Sequence, residues 1–106
     1  MFFELRQYSI FPGKKNEWIQ LMENEIIPFQ QSKGMVILGS FTGEDDESVY
    51  VWIRRFENEG HKNTLYKNVY ESDEWVNTIS NEVKKLVDIE AIKVRNLIST
   101  DLSIMK

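Results

Sequence analysis

The sequence predicts a protein of the α+β class, in which helices cover one face of a four-stranded antiparallel sheet. One observation is the order of the elements, because segments of strand-like alternation and of helical spacing follow each other as strand, helix, strand, strand, helices, strand. The other is length. A chain of 106 residues is as long as one domain and too short for two independent cores, so we assign residues 1–106 to a single domain.

The first strand is predicted over residues 2–10, where aromatic, β-branched and polar residues continue until Phe11, Pro12 and Gly13 end the segment. Successive side chains of a strand point to opposite faces. One face therefore carries Glu4, Arg6, Tyr8 and Ile10, and the other carries Phe3, Leu5, Gln7 and Ser9.

Helical spacing replaces alternation after Gly13 and predicts a first helix over residues 14–31. Its apolar stripe consists of Trp18, Leu21, Met22, Ile26 and Phe29. Pro28 lies inside this helix and lacks the amide hydrogen of the ladder, which predicts a kink in the last turn. Gly34 provides the end of the helix.

Two segments rich in strand formers follow, MVILGSFT at residues 35–42 and SVYVWIRRF at residues 48–56. The short polar connection GEDDE predicts an antiparallel hairpin, and we interpret its acidic run as a solvated turn rather than a metal site. Alternation separates Tyr50, Trp52, Arg54 and Phe56 from Val49, Val51, Ile53 and Arg55.

A second helix is predicted over residues 58–70 and a third soon after it, capped by Ser72. The buried stripe of the third helix consists of Trp75, Ile79, Val83 and Leu86. Weak alternation then predicts a last strand over residues 89–98. The complete order matches the ferredoxin-like split βαβ arrangement.

Composition excludes several classes of function. Thirteen basic residues are spread among seventeen acidic ones without a basic cluster, so no nucleic acid partner is expected. The absence of cysteine excludes disulfides and thiolate nucleophiles. Neither a signal-peptide pattern nor a membrane span of roughly 20 apolar residues occurs, and we expect a cytoplasmic protein. No motif indicates a metal or a cofactor, and none is expected.

Four segments resemble the NIPSNAP family: ELRQY at residues 4–8, PGK at 12–14, VWIRRF at 51–56 and YESDEW at 70–75. The resemblance implies a dimeric α+β barrel, in which the sheets of two protomers pack together and a cavity lies between sheet and helices. It implies little about chemistry, because related barrel families include cofactor-independent monooxygenases, haem-degrading enzymes and dehydratases. The apolar face of Leu5, Val49, Val51 and Ile53 likewise predicts a homodimer.

The candidate ligand-binding site is the polar and aromatic face of the first and third strands, which are neighbours in a ferredoxin-like sheet. It comprises Glu4, Arg6, Tyr8, Tyr50, Trp52 and Arg54. Charged groups beside aromatic faces suit a small organic anion or an aromatic ligand. The alternative is structural, with Glu4 neutralising Arg6 or Arg54 in a buried ion pair while the aromatic side chains form core.

His61 is a weaker candidate for a catalytic acid or base, since it is the one histidine of the chain, although the start of a polar helix favours a surface position. Tyr66, Tyr70 and Trp75 are expected around a cavity mouth or in the core. Three functions stay open. We favour a small-ligand-binding or interaction homodimer over a cofactor-independent monooxygenase or related barrel enzyme, and over a purely structural dimer. Whether the protein is an enzyme is left open.

Overall fold

A computed structural model describes residues 1–106 and contains one antiparallel sheet. Its strands are β1 (Phe2–Ser9), β2 (Val36–Thr42), β3 (Val49–Phe56) and β4 (Lys93–Leu97). They lie in the order β2-β3-β1-β4, and all three neighbouring pairs are antiparallel. With three helices added, this is the ferredoxin-like α+β arrangement, so the predicted fold class is confirmed.

Helix α1 spans residues 15–32 and contains a wide turn in its middle. Its parts are the α-helical Lys15–Leu21, the π-helical Met22–Ile26 and the α-helical Ile27–Ser32. In the wide turn the amide of Ile27 donates to the carbonyl of Met22, five residues back. Pro28 follows at once. Because proline lacks an amide hydrogen and crowds the carbonyl four residues before it, the irregularity predicted at Pro28 takes the form of a π turn just ahead of it.

Side-chain caps precede the two later helices, at Ser72 as predicted and at Asn58, which was predicted as the first residue of its helix. Helix α2 (Glu59–Tyr70) follows Asn58, whose side-chain oxygen accepts from the amide of His61 at 2.8 Å. Helix α3, residues 73–86, follows Ser72, whose hydroxyl accepts from the amide of Trp75 at 3.2 Å. It contains a second π turn, Trp75–Ile79, and then the α-helical Ser80–Leu86. None of these helices is both long and apolar enough to cross a membrane.

The last strand is shorter than predicted. Residues Ile89–Ala91 form a 3-10 turn, and β4 begins only at Lys93. The carboxylate of Asp88 accepts from the amide of Glu90 at 3.1 Å, and this local bond competes with extended backbone. The prediction of strand over residues 89–92 was therefore wrong, whereas residues 93–97 pair with β1 as expected.

The two faces of the sheet differ as alternation predicted. Along β3 the side chains of Tyr50, Trp52, Arg54 and Phe56 are buried under the helices, and those between them are half-buried. The main core lies between this face and α1 and α3, and a smaller one lies against α2. The opposite, outer face is covered by the C-terminal segment at one end, where Arg55 donates to the carbonyl of Lys106 at 2.6 Å.

Candidate functional site

The register of β1 and β3 brings the six predicted site residues together. Glu4 lies opposite Arg54, Arg6 opposite Trp52, and Tyr8 opposite Tyr50. These positions share one face because they alternate with the outer-face residues on both strands. The antiparallel pairing of β1 and β3 therefore places charged side chains under the helices, where each needs a partner.

An ion pair between Glu4 and Arg54 occupies the centre of this face. Both side chains are 0% exposed, and Nη2 of Arg54 lies 2.6 Å from Oε1 of Glu4. Nη1 of Arg54 donates to Oε1 of Gln30 and to the hydroxyl of Tyr70, each at 2.8 Å. Such additional hydrogen bonds are what make a buried ion pair tolerable.

Tyr66 closes the network on the carboxylate side. Its hydroxyl donates to Oε2 of Glu4 and accepts from Nη2 of Arg54 at 3.0 Å. Burial alone would raise the pKa of Glu4, but the charge of Arg54 and the hydrogen bonds from Tyr66 and Arg54 together hold it below its usual value. Glu4 is therefore ionised at neutral pH.

The network carries more positive than negative charge. Besides Arg54, the carboxylate of Glu4 has Nζ of Lys62 at 3.4 Å and Nη1 of Arg6 at 3.8 Å. Three cations thus surround one carboxylate in a protein whose net charge is -4. The cluster therefore has a net positive charge.

A cavity of about 230 Å³ lies beside the cluster, between the sheet and helices α1 and α3. Ten of its thirteen lining residues are hydrophobic, and Arg6, Ser80 and Lys84 are the others. Three of the six predicted residues, Arg6, Tyr8 and Trp52, line it, whereas Glu4, Tyr50 and Arg54 do not. Its volume lies below the roughly 300–1,000 Å³ of pockets for drug-sized ligands, so it suits a smaller molecule.

The cavity wall contains hydrogen-bond donors without acceptors. Nε of Arg6 donates to the hydroxyl oxygen of Tyr8 at 3.0 Å, and the hydrogen of that hydroxyl has no acceptor in the protein. The indole nitrogens of Trp18 and Trp52, whose rings also line the cavity, have no partner either. Buried donors left without acceptors are costly, and Nε of Arg54, which does not line the cavity, is another of them.

The remaining predicted residues have different surroundings. Tyr70 and Trp75 line the cavity, but Tyr66 does not. His61 lies at the first turn of α2, where its Nδ1 accepts from the amide of Glu57 at 3.1 Å, and it does not line the cavity. Gln30 was missed. Its position could have indicated it, since Gln30 follows Ile26 by one turn on the apolar stripe of α1. A polar residue on a buried helix face requires a buried partner.

Fold and site together define a ferredoxin-like α+β domain with a largely apolar, donor-rich cavity under its helices. The chain belongs to the NIPSNAP family, whose sequence model matches residues 3–103. The resemblance of the four short segments is thereby confirmed. No curated protein matches the chain.

Solved structures share the same fold. A NIPSNAP family protein from Agrobacterium tumefaciens has a TM-score of 0.88 and 22% identity, over 99% of this chain and 98% of that chain. A second protein from that bacterium, described as a NIPSNAP family protein of unknown function, has a TM-score of 0.89 and 19% identity, over 100% and 94%. An antibiotic biosynthesis monooxygenase is more distant, with a TM-score of 0.68 and 12% identity over 94% and 99%. At these identities the likeness concerns the fold alone.

Proposed function

We propose that this domain binds a small organic anion with an apolar body in the cavity under its helices. The observation that carries the proposal is Arg6, a guanidinium in the wall of an otherwise mostly apolar cavity. Its side chain is 18% exposed, whereas Arg54 is fully enclosed by its own partners. Lys62 is exposed to the same 18% but does not line the cavity, so Arg6 is the cation of the cluster that a ligand in the cavity can reach.

The hydrogen bonds of Arg6 leave room for an anion. Nε donates to Tyr8. Nη1 has the distant hydroxyl of Tyr66 at 3.5 Å and the carboxylate of Glu4 at 3.8 Å, and Nη2 has no hydrogen-bond partner. A carboxylate next to Nη1 and Nη2 would complete the donors of this guanidinium. The rings of Tyr8, Trp18 and Trp52 then provide flat apolar surface for the rest of the molecule.

Replacing Arg6 with methionine tests this assignment. We expect wild-type protein to bind benzoate or 3-phenylpropanoate, and Arg6→Met to weaken binding by about 10- to 100-fold, since a hydrogen bond to a charged group contributes roughly 1.5–3 kcal/mol. Titration calorimetry gives the affinity. Tryptophan fluorescence gives a second signal, because Trp18, Trp52 and Trp75 all line the cavity.

Arg95→Met is the matched control, because Arg95 lies exposed on β4 and does not line the cavity. It should bind like the wild type. Equal weakening by both substitutions would point to a general effect of charge and remove the assignment to Arg6. Failure of the wild type to bind any small carboxylate would overturn the proposed function.

We also propose that the domain works as a homodimer joined through the outer face of the sheet. Val51 and Ile53 are only half-buried there, and the side chain of Phe41 beside Val51 is 52% exposed. Contiguous apolar surface of this kind marks an interaction site, and a second copy offers the same face in return.

A charge in the middle of the outer face should separate the protomers. We expect Val51→Asp to run as a monomer in light scattering at micromolar concentration, where the wild type runs as a dimer, because an unpaired carboxylate in an apolar interface is strongly unfavourable. Val76→Asp is the control, since Val76 is 55% exposed on α3, in the opposite layer. A monomeric wild type would exclude this dimer.

A further inference from the structure

The hydroxyl of Tyr8 is a hydrogen-bond donor without an acceptor in the protein. Its oxygen accepts from Nε of Arg6 at 3.0 Å, and no protein group accepts its hydrogen. Burial raises the pKa of Tyr8 against the opposing effect of Arg6, so the phenol keeps its proton at neutral pH. An unused donor thus lies directly beside the guanidinium that takes the anion.

The other polar groups of the wall also donate rather than accept. Arg6 and Lys84 can only donate, and so can the indole groups of Trp18 and Trp52, whose nitrogens are enclosed by the protein and have no partner. The oxygen of Tyr70 already accepts from both Arg54 and Gln30. The hydroxyl of Ser80 is the one further polar lining group that could accept. A ligand that matches this wall carries several acceptors and few donors.

We propose that the ligand is a 2-oxo acid with an apolar side chain, bound by Arg6 at its carboxylate and by the Tyr8 hydroxyl at its oxo oxygen. The inference rests on the proposed function and specifies the class of anion. The two donor groups are adjacent, because the guanidinium that offers Nη1 and Nη2 to the carboxylate also donates through Nε to the hydroxyl oxygen of Tyr8 at 3.0 Å, so the two acceptors of the ligand should be adjacent as well. Carboxylate and oxo groups on adjacent carbons meet this condition.

The same geometry discriminates against close analogues. A plain carboxylic acid satisfies Arg6 but leaves the Tyr8 hydroxyl without an acceptor. A 2-amino acid places an ammonium group where the wall offers donors and positive charge, so it is rejected by repulsion as well as by missing hydrogen bonds. Affinity should therefore follow the order oxo acid, plain acid, amino acid.

Titration calorimetry of the wild type with phenylpyruvate, 3-phenylpropanoate and phenylalanine tests this order on one carbon skeleton. We expect phenylpyruvate to bind about tenfold more tightly than 3-phenylpropanoate, the value of one good hydrogen bond, and phenylalanine at least about tenfold more weakly than the plain acid. The aliphatic pair 4-methyl-2-oxopentanoate and 4-methylpentanoate should show the same preference.

Tyr8→Phe should abolish the preference for the oxo acid, and the readout is the ratio of the two affinities within the variant, because the substitution also removes the acceptor of Nε of Arg6 and shifts both affinities together. A preference that survives in Tyr8→Phe would overturn the role of Tyr8. Equal binding of both acids by the wild type would overturn the inference while leaving the proposed function intact. Binding of no acid at all would overturn both.

Discussion

Arg54→Met is expected to lower the free energy of unfolding by about 3–5 kcal/mol, because it leaves the carboxylate of Glu4 buried without its closest cation. The loss falls short of the full penalty if Lys62, at 3.4 Å from Oε2 of Glu4, moves closer. Urea denaturation at pH 7 measures the loss. An unchanged m-value would show that unfolding exposes the same amount of surface, so that the substitution changes stability and not the compactness of the folded state.

The double substitution Glu4→Gln with Arg54→Met should recover much of this stability, since it removes both charges together. A double variant no more stable than Arg54→Met would contradict the assignment of the pair as a structural unit.

Because the pKa of Glu4 is lowered by folding, the contribution of Glu4 to the free energy of unfolding is complete above the unfolded pKa of about 4.3 and is lost as pH falls toward the lower folded pKa. Glu4→Gln should therefore remove the decrease in the free energy of unfolding that protonation of Glu4 causes between these two pKa values.

Trp18→Ala is expected to destabilise the fold by about 3–5 kcal/mol, because the indole is fully enclosed between α1 and the sheet. Its ring contacts Tyr8 and Tyr50, with centroid separations of 5.5 and 5.6 Å. Denaturant melts of the variant against the wild type measure the effect.

Trp75→Ala provides the matched comparison. Trp75 is the same residue type and lines the same cavity, but it is only half-buried. It should therefore cost less than the roughly 3–5 kcal/mol of a fully enclosed ring. Equal losses in the free energy of unfolding at Trp18 and Trp75 would show that burial of the ring does not determine the cost of removing it.

Alternation and turn residues were sufficient to predict the first three strands and the two faces of the sheet, because a strand has a period of two and one face of this sheet is buried. Helix bounds followed from the apolar stripes and from Ser72. The π turns could not be predicted this way, since an apolar spacing of three and four residues is the same in a straight α-helix. At the 3-10 turn Ile89–Ala91 the Asp88 side chain accepts a hydrogen bond from the amide of Glu90, in addition to the backbone bonds of the turn, and alternation does not reveal such a local bond.

The sequence predicted which charged residues share a face, but not which of them borders a cavity. Arg6 and Arg54 lie on the same face of neighbouring strands and look equivalent in the pattern. Their difference arises from helices α1 and α2, whose Gln30, Tyr66 and Tyr70 surround Arg54 and leave Arg6 beside open space. Contacts between distant segments of this kind have no local signature.

The distribution of charge has a consequence for how an anion would arrive and leave. The protein as a whole is negative, so an approaching anion meets repulsion at long range and attraction only within about a Debye length of roughly 8 Å from Arg6 and Lys62. Encounter is thus not accelerated by steering. Tight binding in such a site comes from slow dissociation, so that residence time rather than capture rate distinguishes a good ligand from a poor one.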